Sequence, residues 1–154
     1  MVRDMKPSLQ LSLFVLAVVG VGWLVGATNL PGPWYTALAK PAFVPPNWAF
    51  PVAWTVLYIM IAVAGWRTFR SEPKGFAMAI WLLQLALNFV WSPVMFTMHR
   101  IGSALTILAC LFAVIVVYLA LQVSRDRIAA ALFVPYAIWV AFAGALNAEV
   151  WRLN

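Results

Sequence analysis

Indole, phenol and amide groups recur at helical spacing inside three apolar stretches of this chain. Trp81, Gln84, Asn88, Trp91 and Ser92 form one such stripe. Tyr136, Trp139, Ala143 and Asn147 form a second, and Pro51, Trp54 and Tyr58 a third, with Gly65 further along. Positions three or four apart share a helix face, so each set would present its rings and amides in one direction. The chemistry open to such a set is stacking and directional hydrogen bonding. An amide in an apolar setting is costly unless paired. Gln84, Asn88 and Asn147 are therefore expected to face other helices. They can do so as interhelical bonds worth roughly 0.6–2 kcal/mol each, or as the lining of a pocket. Gln84 and Asn147 read first as interhelical bonds. Asn88, flanked by Trp91 and Ser92, fits both readings.

The ionisable residues narrow the chemistry further. Asp4, Glu72 and Asp126 fall outside the apolar stretches, and Glu149 falls at the end of the last one. Acid–base hydrolysis and proton-coupled transport need a positioned titratable group in the middle of such a stretch, and none is present. His99, next to Arg100, reads as an exposed turn residue. One cysteine, Cys110, excludes an intrachain disulfide and a Cys/His metal cluster. It is expected to be a small packing residue.

The elements that must carry these stripes follow from composition. Of 154 residues, 66% are hydrophobic and 9% charged, against about 25% charged in a soluble domain. The apolar residues come in runs long enough, at 1.5 Å per residue, to cross about 30 Å of hydrocarbon. Five spans are expected at 8–27, 49–69, 76–98, 101–122 and 128–150, making residues 1–154 one transmembrane domain. The fold class is an all-α bundle of five membrane helices. The net charge of +6 comes from single Lys and Arg residues between the runs, which fits juxtamembrane placement and not nucleic-acid binding. The run Leu9 to Ala27 follows Arg3 and Lys6 as a signal peptide would. It exceeds a signal-peptide core and no Ala-x-Ala-like site follows, so a retained first span is expected. Five spans cannot divide into two equal halves, which argues against an inverted-repeat transporter.

One connection is long. Residues 28–48, TNLPGPWYTALAKPAFVPPNW, contain prolines and glycine that forbid a continuous helix. They are also rich in aromatic residues and almost uncharged, unlike a flexible linker. A structured loop over the helix ends is expected, with a short helix near 34–39. The N-terminus and the second and fourth connections hold Arg3, Lys6, Arg67, Arg70, Lys74, Arg125 and Arg127. The opposite side holds Lys40, Arg100 and Arg152. The positive-inside tendency then puts the N-terminus in the cytoplasm and the long loop and C-terminus outside. Trp34, Trp48, Trp66 and Trp151 fit interfacial belts. Gly22–Gly26 and Gly75–Ala79 have small-xxx-small spacing that permits a dimer.

Trp54, Trp91 and Trp139 lie deeper, roughly 8, 10 and 16 Å from the outer ends of their spans at the helical rise. Large aromatics, an amide and a hydroxyl converging under a loop make an apolar ligand pocket.

WYTALAKPAFVPPNWAFPVAWTVLY (34–58) resembles the signature of the translocator protein family, also called tryptophan-rich sensory protein or peripheral benzodiazepine receptor (TspO/MBR). Asn88-Phe-Val-Trp91-Ser92-Pro93 and Pro135-Tyr136…Trp139…Ala143…Leu146-Asn147 resemble two further family blocks. The resemblance implies a five-helix bundle, a homodimer, and a pocket below the first loop that binds porphyrin or haem-pathway tetrapyrroles and benzodiazepine-site ligands. By position the pocket residues would be Tyr35, Trp54, Asn88, Trp91, Ser92, Trp139 and Ala143. Lys40 and Arg100 are candidates to meet tetrapyrrole propionates. The expected function is binding and sensing in a multi-pass membrane protein, with no required cofactor or metal. The alternatives are light-dependent porphyrin degradation, with Trp54 and Trp139 as electron donors, and passive tetrapyrrole or sterol transport. The segment 146–152 lacks the tyrosine of the animal cholesterol motif, so cholesterol is not the expected ligand. A bacterial cell membrane is the expected location, with an outer membrane as the alternative.

Overall fold

The structure is a computed structural model that describes residues 5–154. Arg3, counted above on the N-terminal side, and Asp4 lie outside the described residues. Five long helices carry the chain: α1 (Pro7–Thr28), α3 (Ala49–Ser71), α4 (Phe76–Ser92), α5 (Ile101–Arg125) and α6 (Arg127–Leu153). A short helix, α2 (Pro33–Ala37), stands in the long loop. Among the described residues there is no strand. Each long helix, with α4 counted through Thr97, starts and stops within three residues of its expected span. α5 and α6 run furthest past expectation. The last turn of α6 is supported by an Arg152–Glu149 ion pair at 2.7 Å, and Gln122 near the end of α5 is held by a bond to Thr68.

Local chemistry sets the boundaries. Pro7 at the first turn of α1 loses nothing by lacking an N–H. The Asp126 carboxylate caps α6 by accepting from the backbone N–H groups of Ile128 and Ala129, both at 3.1 Å. Pro93 cannot donate to the preceding turn, and the chain widens there into a π-helical turn, Pro93–Thr97.

The long helices close into a ring in the order α1, α3, α6, α5, α4, with α4 touching α3 and α1 more lightly. The half of the ring toward the α3–α4 and α5–α6 turns is filled. Tyr118 and Phe133 meet there at 4.1 Å, and Ala62, Ala64, Ala77 and Ala129 are fully buried. A Cβ on Gly65 would overlap the Trp81 ring, whose N–H donates to Ile61 O at 3.0 Å. Polar side chains pair across the bundle, as hydrocarbon demands, although Gln84 Nε2 and Trp139 Nε1 are buried without a partner. Thr68 and Tyr118 share a hydrogen bond at 2.7 Å, and Gln122 donates to Thr68 at 2.8 Å. At the helix ends the Arg67 guanidinium donates twice to Asp126, at 2.7 and 3.0 Å.

The outside of the ring is apolar. Leu16, Leu24 and Ile138 are more than 60% exposed, the pattern of side chains facing lipid. Cys110, expected as a packing residue, is exposed on α5. Leu108, Leu111 and Ile115 take the interior of that helix instead. Gly22 is not free for a dimer face: a Cβ there would overlap the Tyr58 ring of α3.

Candidate functional site

The half of the ring under the long loop encloses a cavity of about 490 Å³. Its walls are the predicted stripes. α3 contributes Pro51, Trp54 and Tyr58; α4 contributes Asn88, Trp91 and Ser92; α6 contributes Trp139, Ala143 and Asn147. Tyr35 comes from α2 in the roof. All seven residues named from the resemblance therefore line one space. Met95 and Phe96 join them from the π-helical turn.

The floor is built from rings and one amide. Trp54 stacks on Tyr58, with centroids 5.5 Å apart and planes at 28°. Trp54 meets Trp139 edge to face at 6.4 Å. Tyr58 O–H donates to Asn88 Oδ1 at 3.1 Å, and Asn88 Nδ2 donates to Tyr136 O–H at 2.8 Å. Tyr136 in turn donates to Gln84 Oε1 at 2.9 Å. Gln84 is fully buried one turn from Asn88 and does not line the cavity; its bond joins α4 to α6. Asn147 links three helices, accepting from Trp91 Nε1 at 3.4 Å and donating to Ile101 O at 3.0 Å. Asn88 does both jobs, since it lines the cavity and bridges Tyr58 and Tyr136. The Trp139 indole N–H is buried and has no protein acceptor.

The roof is fixed by aromatic and amide contacts. Tyr35 lies edge-on to Phe96 at 5.2 Å, and Phe96 edge-on to Trp91 at 5.5 Å. Burial pushes the Tyr35 phenol above its usual range, so it stays neutral. Trp34 stacks on exposed His99 at 4.1 Å. His99 turns the chain in the left-handed region, at φ 56°. Trp48 and Trp151 are exposed, as belt residues would be. Trp66 instead lies under the Arg70 guanidinium, 5.4 Å from its ring.

The two cations proposed for propionates do not line the cavity. Lys40 donates to Thr36 O and Leu38 O, both at 3.1 Å, and sits 4.8 Å over the Tyr35 ring. Arg100 is exposed in the α4–α5 turn. Neither lines the cavity, and no lining side chain carries a charge.

The α1 wall was not legible as part of the site. Trp23, Gly26 and Asn29 line it, with Asn47 and Phe50 from the segment entering α3. From Leu13 to Ala27 α1 carries no hydroxyl, amide or charged side chain, so no polar stripe marks its inner face beside the cavity. The available signal was Gly22 and Gly26 one turn apart, with Trp23 beside them.

The sequence pattern of the TspO/MBR family matches residues 13–152. The protein named CrtK of Rhodobacter capsulatus is 40% identical, covering 95% of each chain. A tryptophan-rich sensory protein of Cereibacter sphaeroides is 40% identical over 94% of this chain and 91% of its own. The human translocator protein is 31% identical over 87% of this chain and 84% of its own. With five apolar helices around a roofed cavity, this multi-pass integral membrane protein belongs to the TspO/MBR family.

Proposed function

We propose that the chain binds a flat, hydrophobic ligand of the tetrapyrrole class in the cavity under the loop and acts as a membrane sensor for it. The observation that carries this reading is the edge-to-face pair Trp54–Trp139 beside the Asn88 amide, in a space of about 490 Å³ with no charged lining. Indoles stack on a macrocycle, and an uncharged pocket favours its apolar body. Asn88 supplies a directional polar contact. The propionates of such a ligand stay at the mouth, since burying them without a cation is costly. Lys40 and Arg100 are the candidates to meet them there. The test is titration of the reconstituted protein with protoporphyrin IX, read by tryptophan quenching. Saturable quenching that Trp54→Ala/Trp139→Ala weakens supports the reading, and non-saturable quenching in the wild type ends it.

The same indole pair favours a second reading, in which the light-excited macrocycle takes one electron from an indole and passes it to dioxygen. The macrocycle then gives an electron back to the oxidised indole, and the resulting macrocycle radical cation combines with superoxide to give the oxygenated product. Loss of the porphyrin spectrum that needs both light and Trp54 or Trp139 distinguishes it from binding alone. The reading also includes a homodimer formed on a face other than Gly22. It places the N-terminus in the cytoplasm of a bacterial cell membrane, following the cation bias.

A further inference from the structure

The roof of the cavity and its α1 wall are held very differently. The Asn154 side chain accepts from Ala39 N–H and donates to Ala39 O, both at 3.0 Å. Trp34 stacks on His99, and Thr97 donates to Asn29 Oδ1. The loop is thereby pinned to the end of α6 and to the α4–α5 turn, and its first residues, at the end of α1, to the π-helical turn. α1, in contrast, buries only Gln10, Val18 and Gly22. Gly22 is its close contact with Tyr58, while a Cβ on Gly26 would meet nothing within 4 Å.

Trp23 stands at the margin. It lines the cavity and is 62% exposed. Its indole N–H donates to Thr55 Oγ1 at 3.1 Å, across the seam between α1 and α3. Thr55 donates its own proton to Pro51 O at 2.6 Å, which turns a lone pair toward Trp23. Trp23 lies five residues before the end of α1 and Thr55 six after the start of α3. At the helical rise both are about 8–9 Å below the helix ends, within the hydrocarbon layer.

We infer that the Trp23–Thr55 pair closes a side door through which the ligand passes between the cavity and the acyl chains, α1 rocking on the Gly22–Tyr58 contact. This rests on the ligand-binding reading above and adds the route and the source, a ligand dissolved in the bilayer. The physics favours the seam over the roof. Parting α1 from α3 breaks one hydrogen bond and exposes apolar surface that lipid tails cover without a hydrophobic penalty. Lifting the loop breaks both Asn154 bonds and the Trp34–His99 stack together and wets aromatic rings. The bond suits a latch, since no water competes for the indole N–H at that depth and it re-forms when the helices return.

The test uses full-length protein carrying Cys110→Ala, in lipid nanodiscs. Protoporphyrin IX dimethyl ester, an uncharged probe, is supplied dissolved in the lipid, and association is followed by stopped-flow tryptophan quenching. Trp23→Cys/Thr55→Cys, left unlinked, is expected to associate about threefold to tenfold faster, the factor that one lost hydrogen bond is worth. Bridging the two thiols with a flexible, reducible bis-thiosulfonate linker is expected to slow association by more than an order of magnitude. Reductant restores the rate, which shows that the fold survived. A disulfide-locked Ala39→Cys/Asn154→Cys roof keeps the wild-type rate. Unchanged rates in the bridged seam, with loss of association in the locked roof, overturn the side door while leaving binding intact. Absence of saturable quenching in every form, wild type included, overturns the binding reading and the door with it.

Discussion

The indoles of Trp54 on α3 and Trp139 on α6 meet edge to face, with ring centroids 6.4 Å apart and planes at 88°. The Trp139 N–H is buried without an acceptor in the protein, and both indoles line the cavity where a ligand would sit. Removing both rings is expected to weaken protoporphyrin IX binding by about tenfold or more, from aromatic contacts of about 0.5–1.5 kcal/mol each. Quenching titrations check this, and an unchanged midpoint in the double variant would place the ligand elsewhere.

Asn88 is expected to matter for stability as well as for the cavity. Asn88→Ala leaves Tyr58 O–H without its acceptor and Tyr136 without a donor. The expected loss is about 1–3 kcal/mol. It should appear as a lower thermal midpoint in detergent without ligand. A midpoint equal to wild type refutes the bridge.

Gly22 and Gly20 give a paired test of helix packing. A Cβ at Gly22 overlaps the Tyr58 ring, whereas one at Gly20 meets nothing within 4 Å. Gly22→Val is expected to destabilise by about 1–3 kcal/mol through overpacking. Gly20→Ala is expected to change stability by about 0.5 kcal/mol or less. Equal midpoints for the two would show that α1 does not lean on Tyr58 there.

The α5–α6 turn should give the bundle an acid-sensitive point. Partial burial pushes Asp126 upward, but the Arg67 guanidinium and the backbone N–H groups of Ala129 and Ile128 outweigh it, leaving its pKa below the usual value. A carboxylate lowered on folding stabilises the native state above its unfolded pKa. That contribution is lost as pH falls through the lowered value, below about pH 4. Asp126→Asn is expected to cost about 1 kcal/mol at neutral pH, through the weakened cap and ion pair. It should also flatten the acid limb of a thermal-midpoint profile. A variant profile parallel to wild type down to low pH would remove Asp126 from the account.

Orientation is open to direct labelling. With the loop and C-terminus outside, a cysteine placed at Asn154 in the Cys110→Ala background should react with an impermeant maleimide added to intact cells. Labelling only after the cells are broken would reverse the assignment.

The membrane class, the five spans and the faces of α3, α4 and α6 were legible in the sequence, because lipid imposes them residue by residue. Every span needs about 20 apolar residues. A costly amide such as Asn88 marks an inward face by its presence, and the spacing of Trp54, Tyr58, Trp139 and Ala143 then orders the rest. Three things required the tertiary structure. The α1 wall has no polar residue at helical spacing to mark it, so Trp23 gained a role only from its distance to Thr55. Lys40 and Arg100 looked free as charges, but the fold of the loop turns the Lys40 ammonium onto Thr36 O and Leu38 O. Gly22 could have met a second copy or its own α3, and the ring order of the helices sets it against Tyr58. Composition and period act along one helix at a time, whereas a cavity is a relation between helices, settled by which residues are small enough to let their neighbours close.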